Sequence, residues 1–392
     1  MIRRKTSKTK KSMNQPKQAS GGGGCQLSVT IITGLFLILG YVVNQLKNNT
    51  FISKTTTLQQ QAVSRDIPST SKAAADASVP TLKDNGNDPF SSSNYGRPIH
   101  PILKRALAKT SGEGWDLNPK SSMESEFAKQ NNLQCHWIDF VATSGKTAKF
   151  CGHDENDLVT RKIRKTKRWP DCDVLPKFWN DQGLIKDSNS MYIEIGANIG
   201  GCVMEMLLST DAKIVAFEPH PINQFMLQNS IQALPLEYQE RFVLVPVGLG
   251  KEESKNEIFS SVRNMGNSVI GTIVKDFGSQ KDEDFLRFNV FVERLSSIIN
   301  INDENLNVPL IKLDAQGYEC NILEGVGQKM ASKIKKIKFE VARNWLAKQG
   351  CIDLFDRFRS LGFEIESENG KEKFPTGNNY GGGIKEFVAF RN

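Results

Sequence analysis

Glu194 stands near the end of an apolar run, Met191–Ile195, and a glycine-rich turn follows at once: Gly196-Ala197-Asn198-Ile199-Gly200-Gly201. A second apolar run, Ile214–Phe217, ends in Glu218-Pro219. Strand, glycine turn, helix, strand, acid is the layout of a nucleotide-binding βαβ unit. The glycines matter because a side chain there would hold the backbone away from a ligand. A carboxylate at the second strand end can accept both hydroxyls of a ribose. The turn reads E-x-G-A-N-x-G and lacks the G-x-G-x-x-G of a pyrophosphate binder. It therefore suits a ligand without a phosphate pair, and Glu194 suits one that bears an ammonium and a sulfonium. Those features describe S-adenosyl-L-methionine, with Glu194, Gly196, Ala197, Asn198, Gly200, Glu218 and Pro219 as its binding candidates.

Two further acids close apolar runs. Asp314 follows Leu310–Leu313, and Glu340 lies near the end of Ile334–Val341. Ligands of open α/β sheets bind outside the carboxyl ends of the strands. Asp314 is the first candidate for a base or for substrate orientation; it is also placed to hold the cofactor's amino group or to cap the next helix. Glu340 is the second candidate base, with a structural ion pair as its alternative role. His220 is expected at the adenine edge or the rim.

Four blocks in order resemble the FkbM-type S-adenosylmethionine-dependent methyltransferases: Tyr192–Gly200 (YIEIGANIG), Val215–Pro219 (VAFEP), Ile311–Gly325 (IKLDAQGYECNILEG) and Ile337–Val341 (IKFEV). The resemblance covers roughly residues 185–392. It implies a class I methyltransferase fold and transfer of a methyl group to a hydroxyl of a glycan or small molecule. Family members more often carry Asp where Glu194 stands, which keeps the charge. Their fourth-strand block often reads D-x-E-G-x-E; Gln316 replaces the first Glu here, so no role at 316 can rest on a carboxylate. Asn264-Met265-Gly266-Asn267-Ser268 is similar to a glycine-serine turn of the family, and that resemblance implies a cofactor-side or substrate-side wall.

The elements that must position these residues follow from the pattern. Strands alternate with helices from about residue 175, which indicates a mostly parallel, doubly wound sheet covered on both faces. Strands are expected at Met191–Ile195, Ile214–Phe217, Phe242–Val247, Asn256–Ser260, Ser268–Val274, Leu310–Leu313 and Ile334–Val341, with helices at Gly201–Leu208, Pro221–Ala233, Glu319–Gly327 and Ile352–Leu361. Two strands, Phe363–Glu366 and Glu386–Phe390, follow the last helix and predict an antiparallel hairpin at the sheet edge. Upstream, Glu124–Asn131 is helical in character, and a hairpin pattern runs from His136 to Phe150.

The formal net charge of +8 over 392 residues is partly an N-terminal matter, because Arg3, Arg4, Lys5, Lys8, Lys10, Lys11 and Lys17 all precede residue 20. Bulk charge therefore does not favour nucleic acid. No charge falls between Gln18 and Leu46, and Leu27–Val43 is mostly apolar, about the minimum for a membrane span. The expected organisation is a basic cytosolic tail (1–26), a signal anchor (27–46), a flexible polar stem (47–124), an N-terminal extension of the catalytic domain (125–180) and the catalytic domain itself (181–392). Basic residues before the span put the tail in the cytosol and the bulk of the chain in the Golgi or endoplasmic reticulum lumen. Asn48-Asn49-Thr50 is a glycosylation sequon, and Cys25 is a palmitoylation candidate.

A luminal setting permits disulfides. Cys135 and Cys151 flank the hairpin and are the expected pair, while Cys202 is expected as a buried free thiol. A zinc site built from Cys135, His136, Cys151, His153 and Cys172 matches no common spacing, so no metal is expected. Arg161–Arg168 (RKIRKTKR) reads as a solvated face or as a contact for an acidic glycan. One rival class remains: Asp171-Cys172-Asp173 is a D-x-D triplet, which in Golgi glycosyltransferases holds a cation and a nucleotide sugar. A third possibility is a non-catalytic binding module with the same fold.

Overall fold

The computed structural model describes residues 126–391 apart from 182, 183, 185, 188, 262, 263, 274–284 and 379–382. The anticipated tail, span and stem, with Cys25 and the Asn48 sequon, lie outside the described residues. Among the described residues no helix is long and apolar enough to cross a membrane.

The chain opens with helix α1 (Glu126–Gln130) and a hairpin, β1 (His136–Val141) and β2 (Thr147–Gly152). Helices α2 (Leu158–Thr166) and α3 (Leu175–Trp179) lead to β3 (Ser190–Ile195), α4 (Gly201–Ser209), β4 (Lys213–Phe217), α5 (Pro221–Gln232), α6 (Leu236–Gln239) and β5 (Phe242–Val245). Four strands follow: β6 (Gly248–Leu249), β7 (Ser254–Ser261), β8 (Asn264–Ile270) and β9 (Phe285–Glu293). The last part comprises α7 (Leu295–Ile298), β10 (Asn307–Leu313), α8 (Glu319–Ala331), β11 (Ile334–Ala342), α9 (Arg343–Lys348), α10 (Leu354–Ser360), β12 (Glu364–Ser367) and β13 (Ile384–Phe390).

Seven strands form the main sheet in the order β5-β4-β3-β10-β11-β13-β12. Only the pairs made by β13 are antiparallel. The expected terminal hairpin forms, with one difference. Its last strand inserts between β11 and β12, so the antiparallel strand sits one place in from the edge. The order reverses between β3 and β10, and a crevice opens there at the strand ends.

Both faces of the sheet are covered, which explains the near-continuous apolar strands. Along β3, Met191, Ile193 and Ile195 join one core cluster with α8 and α10, while Tyr192 joins the other with α4 and α5. The second cluster also takes in Phe140 and Phe150 of the hairpin, so the N-terminal extension shares the catalytic core. Glu205, fully buried in α4, accepts from Thr143 N (3.0 Å) and clamps the hairpin turn onto that helix. The strands β6–β9 build a separate sheet inserted between β5 and β10.

Three disulfides tie the described residues together: Cys135–Cys151, Cys172–Cys202 and Cys320–Cys351. The first is the expected pair. The second corrects the expectation of a free thiol at Cys202. Gly201 and Cys202 open α4 beneath Trp169, which brings Cys172, three residues beyond that ring, within bonding reach. Cys135, Cys151 and Cys172 are thereby removed as zinc thiolates.

Candidate active site

The glycine turn is built by close approach. Gly196 N and Ala197 N both donate to Phe217 O (3.0 Å each), and Asp314 N donates to Ile195 O (3.0 Å). Strands β3, β4 and β10 are thus stitched together where they end. Gly196 has φ +78°, and a Cβ there would lie 1.8 Å from Asp314 O. No side chain fits. Asn198 also turns left-handed, at φ 52°. Its N–H donates to Glu218 Oε2 (2.6 Å), and His220 N donates to Glu218 Oε1 (2.9 Å). Two backbone amides therefore fix this carboxylate, and its remaining lone pairs can still accept. Burial pushes the Glu218 carboxyl up to about 7, against those amides.

A row of charge crosses the sheet beneath the turn. Glu194, Lys312 and Lys338 are register neighbours on β3, β10 and β11 and are all buried. Buried charges persist only when paired. Lys312 Nζ lies 3.5 Å from Glu194 and 3.0 Å from Asp314, and those two carboxylates hold its ammonium well above the usual lysine range despite burial. Tyr192 donates its hydroxyl to Glu194. Burial raises the Glu194 carboxyl, with Lys312 opposing. One row further out come Asp314, Glu340 and Glu386. Gln316, in the left-handed region at φ 52°, aims its amide at Asp314 Oδ1 (2.5 Å) and Glu340 Oε1 (3.5 Å). Burial, then Asp314 and Glu386, push Glu340 up to about 9.

Two cavities meet over this turn. The narrower is lined by Glu218, Pro219, Asn223, Val247, Leu249 and Ser268, among others. The wider, of about 270 Å³, is lined by Asp171, Glu194, Asn264, Lys312, Glu340 and Glu386, with Trp169 and Ile384 among its apolar walls. Gly196, Asn198, Gly266, Asp314 and Gln316 line both. The 264–268 segment thus walls both sides, held by Asp157, whose Oδ2 accepts from Met265 N (3.1 Å) while its Oδ1 caps α2 at Thr160 N (2.7 Å).

Residues 194–367 match the model of the methyltransferase FkbM domain. This part of the chain is an FkbM methyltransferase domain. Among curated proteins none matches the chain. Similar solved structures include a precorrin-6y C5,15-methyltransferase from Geobacter metallireducens GS-15, at 10% identity and TM-score 0.31, covering 62% of this chain and 93% of that one. A SAM-dependent O-methyltransferase from Thermotoga maritima is similar at 10% identity and TM-score 0.30, covering 65% of this chain and 77% of that one.

The cofactor of an FkbM methyltransferase domain is S-adenosyl-L-methionine, and the residues present fit it. Glu218 offers free lone pairs beside the apolar wall of Val247 and Leu249, as a ribose and an adenine require. Buried Gln316 Oε1, in the wall shared by the cavities, has no hydrogen-bond partner and calls for a donor such as an ammonium. The expected cofactor residues Gly196, Asn198, Glu218, Pro219 and Asp314 line the narrower cavity, and Glu194 and Ala197 the wider. Gly200 lines neither: its φ is +93° and a Cβ would strike Leu227 Cδ1 at 2.3 Å, so it serves the packing of α4 on α5.

Other expectations are corrected. His220 reaches neither cavity; it is fully buried, bonds Ser260 Oγ through Nε2 (2.7 Å) and sits edge-on to Phe288. Burial pulls its ring down to about 3, so it is a neutral core residue. Asp314 does not cap α8. Glu319 orders that turn instead, accepting from Ala315 N (3.0 Å) and Gly317 N (3.3 Å). The D-x-D triplet is split: Asp173 accepts from Arg168 Nε at 2.9 Å, while Asp171 lines the wider cavity. The basic run forms the outer face of α2, with Arg161, Lys162, Arg164 and Lys165 exposed. Lys312, Lys338 and Tyr192 were not anticipated. Their signal is a polar group at alternate positions of strands apolar on both faces.

Proposed function

We propose that this protein is an S-adenosyl-L-methionine-dependent O-methyltransferase acting on a hydroxyl of a glycan or small molecule. The observation that carries this reading is Asp314, whose carboxylate stands on the wall shared by the cofactor-side cavity and the wider one. When bound, the cofactor supplies an electrophilic sulfonium methyl. Asp314 is held from two sides, by Lys312 Nζ and by the Gln316 amide. So fixed, it accepts a hydrogen bond from the acceptor hydroxyl and turns the oxygen lone pair toward the methyl. Positioning of this kind accounts for much of an enzymatic rate. Asp314 also takes the proton as the oxygen loses it. In the ligand-free site Glu340, its carboxyl pushed up to about 9 by burial and then by Asp314 and Glu386, keeps its proton at neutral pH and is not the base.

All six cysteines of the described residues are in disulfides. That chemistry belongs to an oxidising compartment. It supports the luminal orientation expected from the basic tail and the apolar stretch 27–46, as a single-pass membrane protein of the Golgi or endoplasmic reticulum. The test is mass spectrometry of glycans, lipids and small molecules from cells with and without the protein. A 14-dalton increment on an oxygen, lost with the protein, is expected; an increment on nitrogen or carbon would overturn O-methylation.

A further inference from the structure

The wider cavity holds more acid than the transfer itself uses. Glu340 and Glu386 are register partners across the β11–β13 pair, and both line it. Glu386 is answered by Lys338 (2.7 Å), which also reaches Glu368 (3.2 Å). Lys312 is shared by Glu194 and Asp314. Those lysines are thus engaged, and among the described residues Glu340 forms no ion pair. Its carboxyl meets the Gln316 amide at 3.5 Å and faces like charge from Asp314 and Glu386, which Lys312 opposes only from beyond ion-pair distance. A second observation comes from another element. Asn264 of β8 is 8% exposed, lines the same cavity, and its Oδ1 has no hydrogen-bond partner. One wall therefore presents an acceptor without a donor, Asn264 Oδ1, and the other a carboxyl, Glu340, that has no ion-pair partner and that a cation seated beside it would let ionise. The Trp169 ring lies in the same lining, with exposed Leu158 and Ile384.

We propose that the acceptor molecule carries a protonated amine beside its hydroxyl, seated on Glu340 and Glu386, with a further N–H or O–H given to Asn264 Oδ1. This rests on the methyltransferase reading above and narrows its substrate class. An ammonium brings three donors and the missing counter-charge. Its attraction to an aromatic face suits the Trp169 ring as well. A neutral polyol would bring no charge that lets Glu340 ionise. An anionic acceptor would meet Asp171 and Glu386 as like charges. The basic outer face of α2 does not reverse this sign, because the α2 residues in the cavity lining are Leu158 and Val159.

The experiment uses the full chain, S-adenosylmethionine tritiated on the methyl group, and a total extract of small molecules and glycans. Half of the extract is first treated with acetic anhydride in cold aqueous bicarbonate, which converts amines to uncharged amides and leaves alcohol hydroxyls free. Products are then separated on cation and anion exchangers at neutral pH. Label retained on the cation exchanger is expected, falling about tenfold or more after acetylation, the loss that one charge-assisted contact represents. Labelled products that are neutral or anionic, undiminished by acetylation, would overturn this inference and leave methyl transfer standing. An enzyme that binds cofactor yet labels nothing would overturn both. The near-isosteric Glu340→Gln is expected to raise the KM of the cationic acceptor about tenfold with the cofactor KM unchanged; an unchanged acceptor KM would also overturn the inference.

Discussion

At the scale of single residues, the site is a set of carboxyl groups made different by what surrounds each. Glu218 is fixed by two amides, Asp314 by an ammonium and an amide, and Glu340 by one long amide contact amid burial and like charge. Glu218→Gln removes the charged acceptor of the ribose hydroxyls, so cofactor Kd should rise roughly 10- to 100-fold in calorimetry, as for hydrogen bonds to charged groups. The raised carboxyls also set a pH dependence of folding. Glu218 and Glu319 at about 7 and Glu340 at about 9 hold protons more tightly folded than unfolded, where a glutamate loses its proton near 4.5. Their contribution is therefore complete at low pH and fades as pH rises from about 4.5 to about 9. The ligand-free protein should lose Tm between pH 7 and 9, and Glu340→Gln should flatten that segment. A wild-type Tm that rises over the interval would contradict the assignment. Glu194, Glu218 and Asp314 were legible because each ends or nearly ends an apolar run. Lys312 and Lys338 were not, because a lysine inside a strand pattern carries no partner label. Only the sheet register shows that Glu194, Lys312 and Lys338 stand side by side.

At the scale of elements, what matters is how closely three strand ends approach one another. A Cβ on Gly196 would collide with the Asp314 backbone, whereas one on Gly145, also left-handed at φ +82°, would meet nothing within 4 Å. Gly145→Ala should therefore cost only its dihedral strain, about 1–2 kcal/mol. Gly196→Ala should cost more in denaturant unfolding and also abolish cofactor binding. Equal costs would show that the close approach is not tight. The Cys172–Cys202 bridge pins the segment bearing Trp169 and Asp171 to the first turn of α4. Cys172→Ser should lower stability by about 2–4 kcal/mol, and an unchanged midpoint would show that the bridge adds no constraint. Every strand of the main sheet was legible, since β-rich apolar runs alternate with helical ones. The short helix Arg343–Lys348 was not, having only Trp345 and Leu346 to bury. The seating of Glu386 opposite Glu340 was not legible either, because the glycine-rich connection before β13 does not say which strand it returns to.

For the molecule as a whole, the sheet, the hairpin clamped by Glu205 and the three disulfides serve one arrangement: two cavities separated by Gly196, Asn198, Asp314 and Gln316. The sequence blocks carried the fold and the cofactor because strand ends and glycine turns are local signals. The acceptor side was illegible because its walls come from β3, β8, β10, β11, β13 and the segment around Trp169, far apart in the chain. The most direct measurement compares wild type with Asp314→Asn, following S-adenosylmethionine binding by calorimetry and tritium transfer to the acceptor. Wild type should bind and transfer. Asp314→Asn should bind within a few-fold of wild type and transfer about 10²-fold or more slowly, the range for loss of a positioned base. A wild-type protein that does not bind the cofactor, or an Asp314→Asn variant that transfers at the wild-type rate, would contradict methyl transfer at Asp314.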